Sequence, residues 1–143
     1  MRPKKKILVY CEDEAKLNVN TFIIGSKTSS TSFGMAAYPV DSIAVAESLA
    51  KLTSFHAAVV IHARPSDQSA SMVSTMMAMD IPTLLINDCV GSHVADNLAS
   101  MTISSAAGVA EWMERLRVLC GRKRGPKVQV RNPKEELVSL SVQ

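Results

Sequence analysis

Ala57-Ala58-Val59-Val60-Ile61-His62-Ala63-Arg64-Pro65 opens with five apolar residues in succession, stops at a histidine and is followed by a proline. A run this short, rich in β-branched residues and without polar alternation, suits a strand buried on both faces of a parallel sheet. In open α/β sheets the functional crevice lies outside the carboxyl ends of such strands, so the residues that close the run are the ones placed for chemistry. His62 is the first polar residue there, and Ile61 takes the position if the strand is cut one residue earlier.

The rest of the chain repeats the pattern. Further strands are expected at Ile7–Cys11, at Phe33–Tyr38 closed by Pro39, at Ile81–Ile86 ending in Asn87-Asp88, and at Met101–Ile103 ending in Ser104-Ser105. Between them lie segments of helical spacing. The first starts at Ala15, carries Leu17, Phe22, Ile23 and Ile24, and is ended by Gly25 and the Ser/Thr-rich 26–32. A second runs from an Asp41 N-cap to Leu52, with Ile43, Ala46 or Val45, Leu49 and Leu52 as its buried stripe. Ser69–Met79 carries Met72, Val73, Met76, Met77 and Met79, a stripe read as packing onto the sheet. A short helix around Ser92–Ser100 and a last one over Gly108–Cys120, with Val109, Trp112, Met113, Leu116 and Leu119 inward, complete the series. Five strands alternating with five helices through short connections predict right-handed crossovers and a doubly wound parallel sheet.

At 143 residues with 47% hydrophobic content, the chain suits one domain over 1–120 and a basic appendage over 121–143. No apolar run is long enough to span a bilayer, and the basic start leads into a short strand, so the expected location is the cytoplasm. Cys11, Cys89 and Cys120 are odd in number and lack CxxC spacing, which speaks for reduced thiols. Charge is segregated. Residues 7–114 hold four basic side chains against eleven acidic ones, whereas the two ends hold the other twelve basic residues and only Glu135 and Glu136. A basic tail of this kind is most often solvated, with phosphate attraction as the alternative.

The first strand is followed by Glu12-Asp13-Glu14 in place of a Gly-rich phosphate loop, which argues against nucleotide binding. No nucleophile and base share a supporting spacing, so no small-molecule enzyme is expected. On this order of elements, on the lysine-rich start before Glu12-Asp13-Glu14, on Val59–Pro65, on Ile81–Ile86 and on the terminal amphipathic helix, residues 5–120 resemble the CheY-like receiver domains of two-component response regulators. The resemblance implies a flavodoxin-like (βα)5 three-layer sandwich with parallel sheet order 2-1-3-4-5.

It also implies a site. In that family an acid pair after the first strand and an aspartate after the third hold Mg²⁺, the aspartate takes up a phosphoryl group, and a hydroxyl residue and a lysine after the fourth and fifth strands read it. Glu12 and Asp13 match the acid pair. The acceptor position falls on Ile61 or His62, the hydroxyl on Asn87 and the lysine on Ser104 or Ser105, so without that lysine nothing obvious balances the extra negative charge of a phosphoryl group. These replacements imply a degenerate pseudo-receiver, with no catalytic residue and no required cofactor; Mg²⁺ on Glu12 and Asp13 would be weak and the pair mostly unoccupied. Three alternatives stay open: a transition-metal site of His62 with Asp13, Asp88 and Cys11, an Asp13–His62 ion pair, and a displaced acceptor at Asp67 or Asp88, although Asp67 also suits the cap of the helix beginning near Ser69.

The expected function is therefore a phosphorylation-independent protein-interaction module. The resemblance places its partner face around His93, Asn97, Trp112 and Arg115, with a histidine kinase, an output protein or a second copy as partner. Nucleic-acid contact through Arg122-Lys123-Arg124-Gly125-Pro126-Lys127 is the remaining alternative, without a helix-turn-helix to carry sequence specificity. No membrane contact is expected.

Overall fold

The structure, a computed structural model, describes residues 5–27, 34–64, 67–89 and 99–121. Along the chain these form β1 (Lys5–Cys11), α1 (Glu14–Lys27), β2 (Met35–Val40), α2 (Ile43–Leu52), β3 (Ala57–His62), α3 (Gln68–Ala78), β4 (Thr83–Asn87), β5 (Met101–Ser104) and α4 (Val109–Gly121), with a 3₁₀ turn at Ser105–Ala107. The five strands make one parallel sheet in the order β2-β1-β3-β4-β5. The expected doubly wound topology and the order 2-1-3-4-5 are both present. Residues 92–98 of the helix expected around 92–100, and the segment 122–143, lie outside the described residues.

Burial explains why the central runs lack alternation. Ile7, Val9, Ala57, Val59, Ile61, Leu84 and Ile86 pack on one face against Leu17 and Ile24 of α1 and Trp112, Leu116, Leu119 and Cys120 of α4. Leu8, Tyr10, Ala58, Val60 and Leu85 pack on the other against Ala46 of α2 and Met72, Val73 and Met76 of α3. Successive residues of a strand point to opposite faces, so a strand covered on both must be apolar throughout. The methionines of α3 are core, as their spacing suggests; Met77 alone among them is largely exposed.

Several boundaries differ from expectation for local reasons. Gly25 does not end α1, which continues to Lys27 because Ile24 is fully buried and holds the last turn on the sheet. Phe22, one of the apolar residues recurring along this segment, is 72% exposed. Pro39 does not close β2 but lies inside it, paired with Val9. β2 is an edge strand, where the missing N–H costs no ladder bond on the open side. The N-cap of α2 is Ser42 rather than Asp41: the Ser42 Oγ accepts the Val45 N–H at 3.2 Å. Of the expected α2 stripe Ala46 is buried, whereas Val45 and Leu52 face solvent. Asp67 occupies the N-cap position of α3 without a side-chain capping bond.

The turn from α3 into β4 fixes where β4 begins. Asp80 has φ 62°, its N–H donates to the Met77 carbonyl and the Ile81 N–H donates to the Met76 carbonyl, both at 3.0 Å. This is the Schellman arrangement, with Ile81 and Met76 sharing a core cluster as its hydrophobic contact. An aspartate stands where glycine is usual. Asp80→Gly is expected to raise stability by up to about 1 kcal/mol, because the left-handed conformation penalises a side chain. Leu116→Ala should cost about 2–5 kcal/mol in urea denaturation, while Leu52→Ala, at a residue 83% exposed, should change stability by no more than about 0.5 kcal/mol.

Candidate functional site at the carboxyl ends of the strands

Sheet register aligns the residues that close the strands. Cys11 pairs with Ile61 and Ile61 with Ile86; one step further, His62 pairs with Asn87 and Asn87 with Ser104. Ile61, His62, Asn87 and Ser104 are thus brought together from β3, β4 and β5, with Glu12 and Asp13 just beyond the end of β1. Ile61, Asn87 and Ser104 each serve the fold. Ile61 is 2% exposed and belongs to the apolar cluster of Cys11 and Ile86. The Asn87 Oδ1 accepts the Cys89 N–H and the Ser104 Oγ accepts the Ala106 N–H, each at 3.1 Å. Both are short side-chain turns that direct the chain away from the strand end.

His62 departs from the expectation that it follows the strand. It is the last residue of β3, by alternation on the face of Ala58 and Val60, and is 1% exposed. Its carbonyl accepts the Asp88 N–H at 2.9 Å, which joins the ends of β3 and β4.

Asp13 is the N-cap of α1. Its Oδ1 accepts the Lys16 N–H at 3.2 Å and its carbonyl accepts the Leu17 N–H at 2.9 Å. A carboxylate there satisfies an orphan donor and complements the positive end of the helix dipole. The first turn of α1 then presents Lys16, whose Nζ donates to the Asp88 Oδ2 in a partly buried salt bridge. Asp88 thus has a cationic partner. The counter-charge comes from α1, not from the end of β5.

The Asp88 hydrogen bond raises the Lys16 pKa above its ordinary 10.5 against partial desolvation, with Asp13 adding to the rise. Burial raises the Cys11 thiol, and it raises Cys120 to about 11. Tyr10 is lifted to about 12 by burial and by Glu12. Both thiols are free and buried.

The Mg²⁺ that the fold implies does not fit these residues. Among the described residues no three His, Cys, Asp or Glu side chains are placed to hold a metal ion, Asp13 is committed to its cap, and Ile61, one of the two positions to which the resemblance assigns the acceptor, has no ligand atom. That also removes the transition-metal set of His62, Asp13, Asp88 and Cys11. A groove of about 460 Å³ does open nearby, but on the β2 side, where Glu12, Glu14 and Asp41 face Leu17, Val40 and Val45; it excludes Ile61, His62, Asn87 and Ser104.

Of the expected partner face, Arg115 is exposed and paired with Glu111 at 2.9 Å. Trp112 is 4% exposed and packs in the core, so its ring is not offered to a partner. His93 and Asn97 lie outside the described residues, as does the basic tail beyond Gly121. Among the described residues no helix is long and apolar enough to cross a membrane.

No protein-family model and no curated protein matches the sequence. Solved structures do. A response regulator of Chloroflexus aurantiacus described as putative superposes with a TM-score of 0.67 at 12% identity, covering 84% of this chain and 100% of that one. The BeF3-activated receiver domain of Klebsiella pneumoniae RstA gives 0.66 at 15%, covering 82% and 100%.

The chain has the receiver-domain fold. A third receiver match is the Thermotoga maritima response regulator TrrA with Mg²⁺ and BeF, at 0.64 and 12% identity, covering 80% and 98%. TrrA in complex with the histidine kinase ThkA gives 0.59 at 14%, covering 80% and 97%. Lys16 is a site residue that sequence reasoning missed, since its place in Glu14-Ala15-Lys16 reads as an ordinary surface lysine of a first helical turn.

The sign of the Lys16 contribution follows from its raised pKa. Stabilisation by the ion pair is fully present below pH 10.5 and is lost as pH rises through the higher folded-state value. The stability difference between wild type and Lys16→Met should therefore be constant from pH 7 to 10 and shrink above that range, as measured by urea denaturation at each pH.

Proposed function

We propose that this chain is an atypical response-regulator receiver domain in two-component-type signalling, acting as a protein-interaction module that does not depend on phosphorylation. The observation that carries the reading is the burial of Ile61 at the acceptor position, 2% exposed in an apolar cluster. An aliphatic side chain has no oxygen to attack phosphorus and none to bind a hard cation. The local hydrogen bonds of Asn87 and Ser104 support the same reading, since both oxygens serve turns instead of a phosphoryl group.

The partner that suits this reading is a signalling protein, either a histidine kinase, as in the ThkA–TrrA pair, or an output protein, met on the surface of α4 around Arg115. A homodimer through that face and a cytoplasmic setting belong to the same proposal. Catalysis has no part in it.

Incubation of the full chain with acetyl phosphate, and separately with beryllofluoride, each with Mg²⁺, tests the reading. Intact mass is expected to show no adduct, and amide NMR shifts around residues 61, 87 and 104 should not move. A stoichiometric, Mg²⁺-dependent, acid-labile adduct would overturn it; mapping that adduct to Asp67 or Asp88 would establish a receiver with a displaced acceptor instead.

A further inference from the structure

The groove on the β2 side combines apolar walls with one sign of charge. It is formed by the end of β1, the first turns of α1, the end of β2 and the start of α2. Leu17, Val40 and Val45 give it apolar surface, and Val45 is 43% exposed. Glu12, Glu14 and Asp41 also line it, and no lysine, arginine or histidine does. Lys16, the cation of the same helical turn, is held by Asp88 beside β4. Glu14 and Asp41 are exposed and make no salt bridge among the described residues. Carboxylates set around an apolar trough fit an occupant that carries basic and apolar side chains together.

The chain itself supplies such a segment. Residues 122–134 hold six basic side chains and no acidic one, and Lys127-Val128-Gln129-Val130-Arg131 sets two valines between cations. Helix α4 starts after β5 and lies along the sheet through Trp112, Leu116 and Leu119, so Gly121 closes it at the amino ends of the strands. The groove is at the opposite rim. The sheet measures about 23 Å along the seven residues of β1 and about 19 Å across its five strands. Thirteen extended residues cover about 43 Å, so residues 122–134 span that distance.

We infer that residues 122–134 dock in this groove of their own chain, the valines against Leu17, Val40 and Val45 and the cations against Glu12, Glu14 and Asp41. Covalent attachment gives the segment a high effective concentration at the groove, which a separate basic peptide must exceed. The acidic globule and its basic appendage are thereby complementary parts of one molecule. The inference goes beyond the proposed function and uses neither Ile61 nor the α4 face, so a phosphoryl adduct on the protein leaves it standing.

Trypsin cleavage after the basic residues of 122–134, followed by mass in the full chain at low salt, is the test. Wild type is expected to be cut about fivefold more slowly than Glu14→Gln/Asp41→Asn, which loses two exposed ion pairs. The ratio should fall to one in about 1 M salt, where charges are screened beyond about 3 Å. Carbodiimide coupling of wild type then locates the segment and serves alone if the variant does not fold: Lys123, Lys127 or Lys134 should join Glu12, Glu14 or Asp41 within one chain, as judged in a mixture of unlabelled and ¹⁵N-labelled protein. Equal cleavage of a folded variant and wild type would overturn the inference. So would coupling that is absent, that is spread equally over Glu47 and other surface acids, or that joins the segment only to the groove of another chain, in which case a second copy is the occupant.

Discussion

The sheet is covered by helices on both faces, and most of what this molecule can do follows from that. Ala57 through His62 are all buried, so β3 has no polar side available for a site. Ligand chemistry on such a sheet is confined to its edges and to the loops at strand ends. The alternation of β and α elements sends each strand in the same direction, which collects five carboxyl ends along one rim. Charge that would be unaffordable in the core can exist there because water reaches it.

At that rim the side chains serve structure. Asp13 caps a helix, Asn87 and Ser104 close turns, and Ile61 extends the apolar core to the strand end. A capping carboxylate contributes about 1 kcal/mol to the helix it starts, whereas an unpaired carboxylate near a low-dielectric wall is unfavourable. Lys16 resolves the remaining imbalance. Because its ammonium is about two-fifths exposed, its value lies less in stability than in fixing where Asp88, and hence the end of β4, sits.

How legible this was from the sequence depends on the range of each interaction. The order of elements, the core stripe of α4 and the inward methionines of α3 were all readable, since each rests on a periodicity contained within a dozen residues. Boundaries were less so. Ser42 and Asp41 are both good caps by composition, and the choice of Ser42 depends on how the chain leaves β2. Pro39 reads as a terminator until β2 is known to be an edge strand. Trp112 reads as packing more readily than as surface, and its burial depends on the sheet beneath it.

Hydrophobic patterning by itself determined that this is a parallel α/β domain and that residues 12, 13, 61, 62, 87 and 104 close its strands, because burial on two faces leaves a local record in residue type. Only the tertiary structure decided that Lys16 answers Asp88. An ion pair depends on distance in space, and the folding of β3 between β1 and β4 is what brings two residues with no local relation into contact.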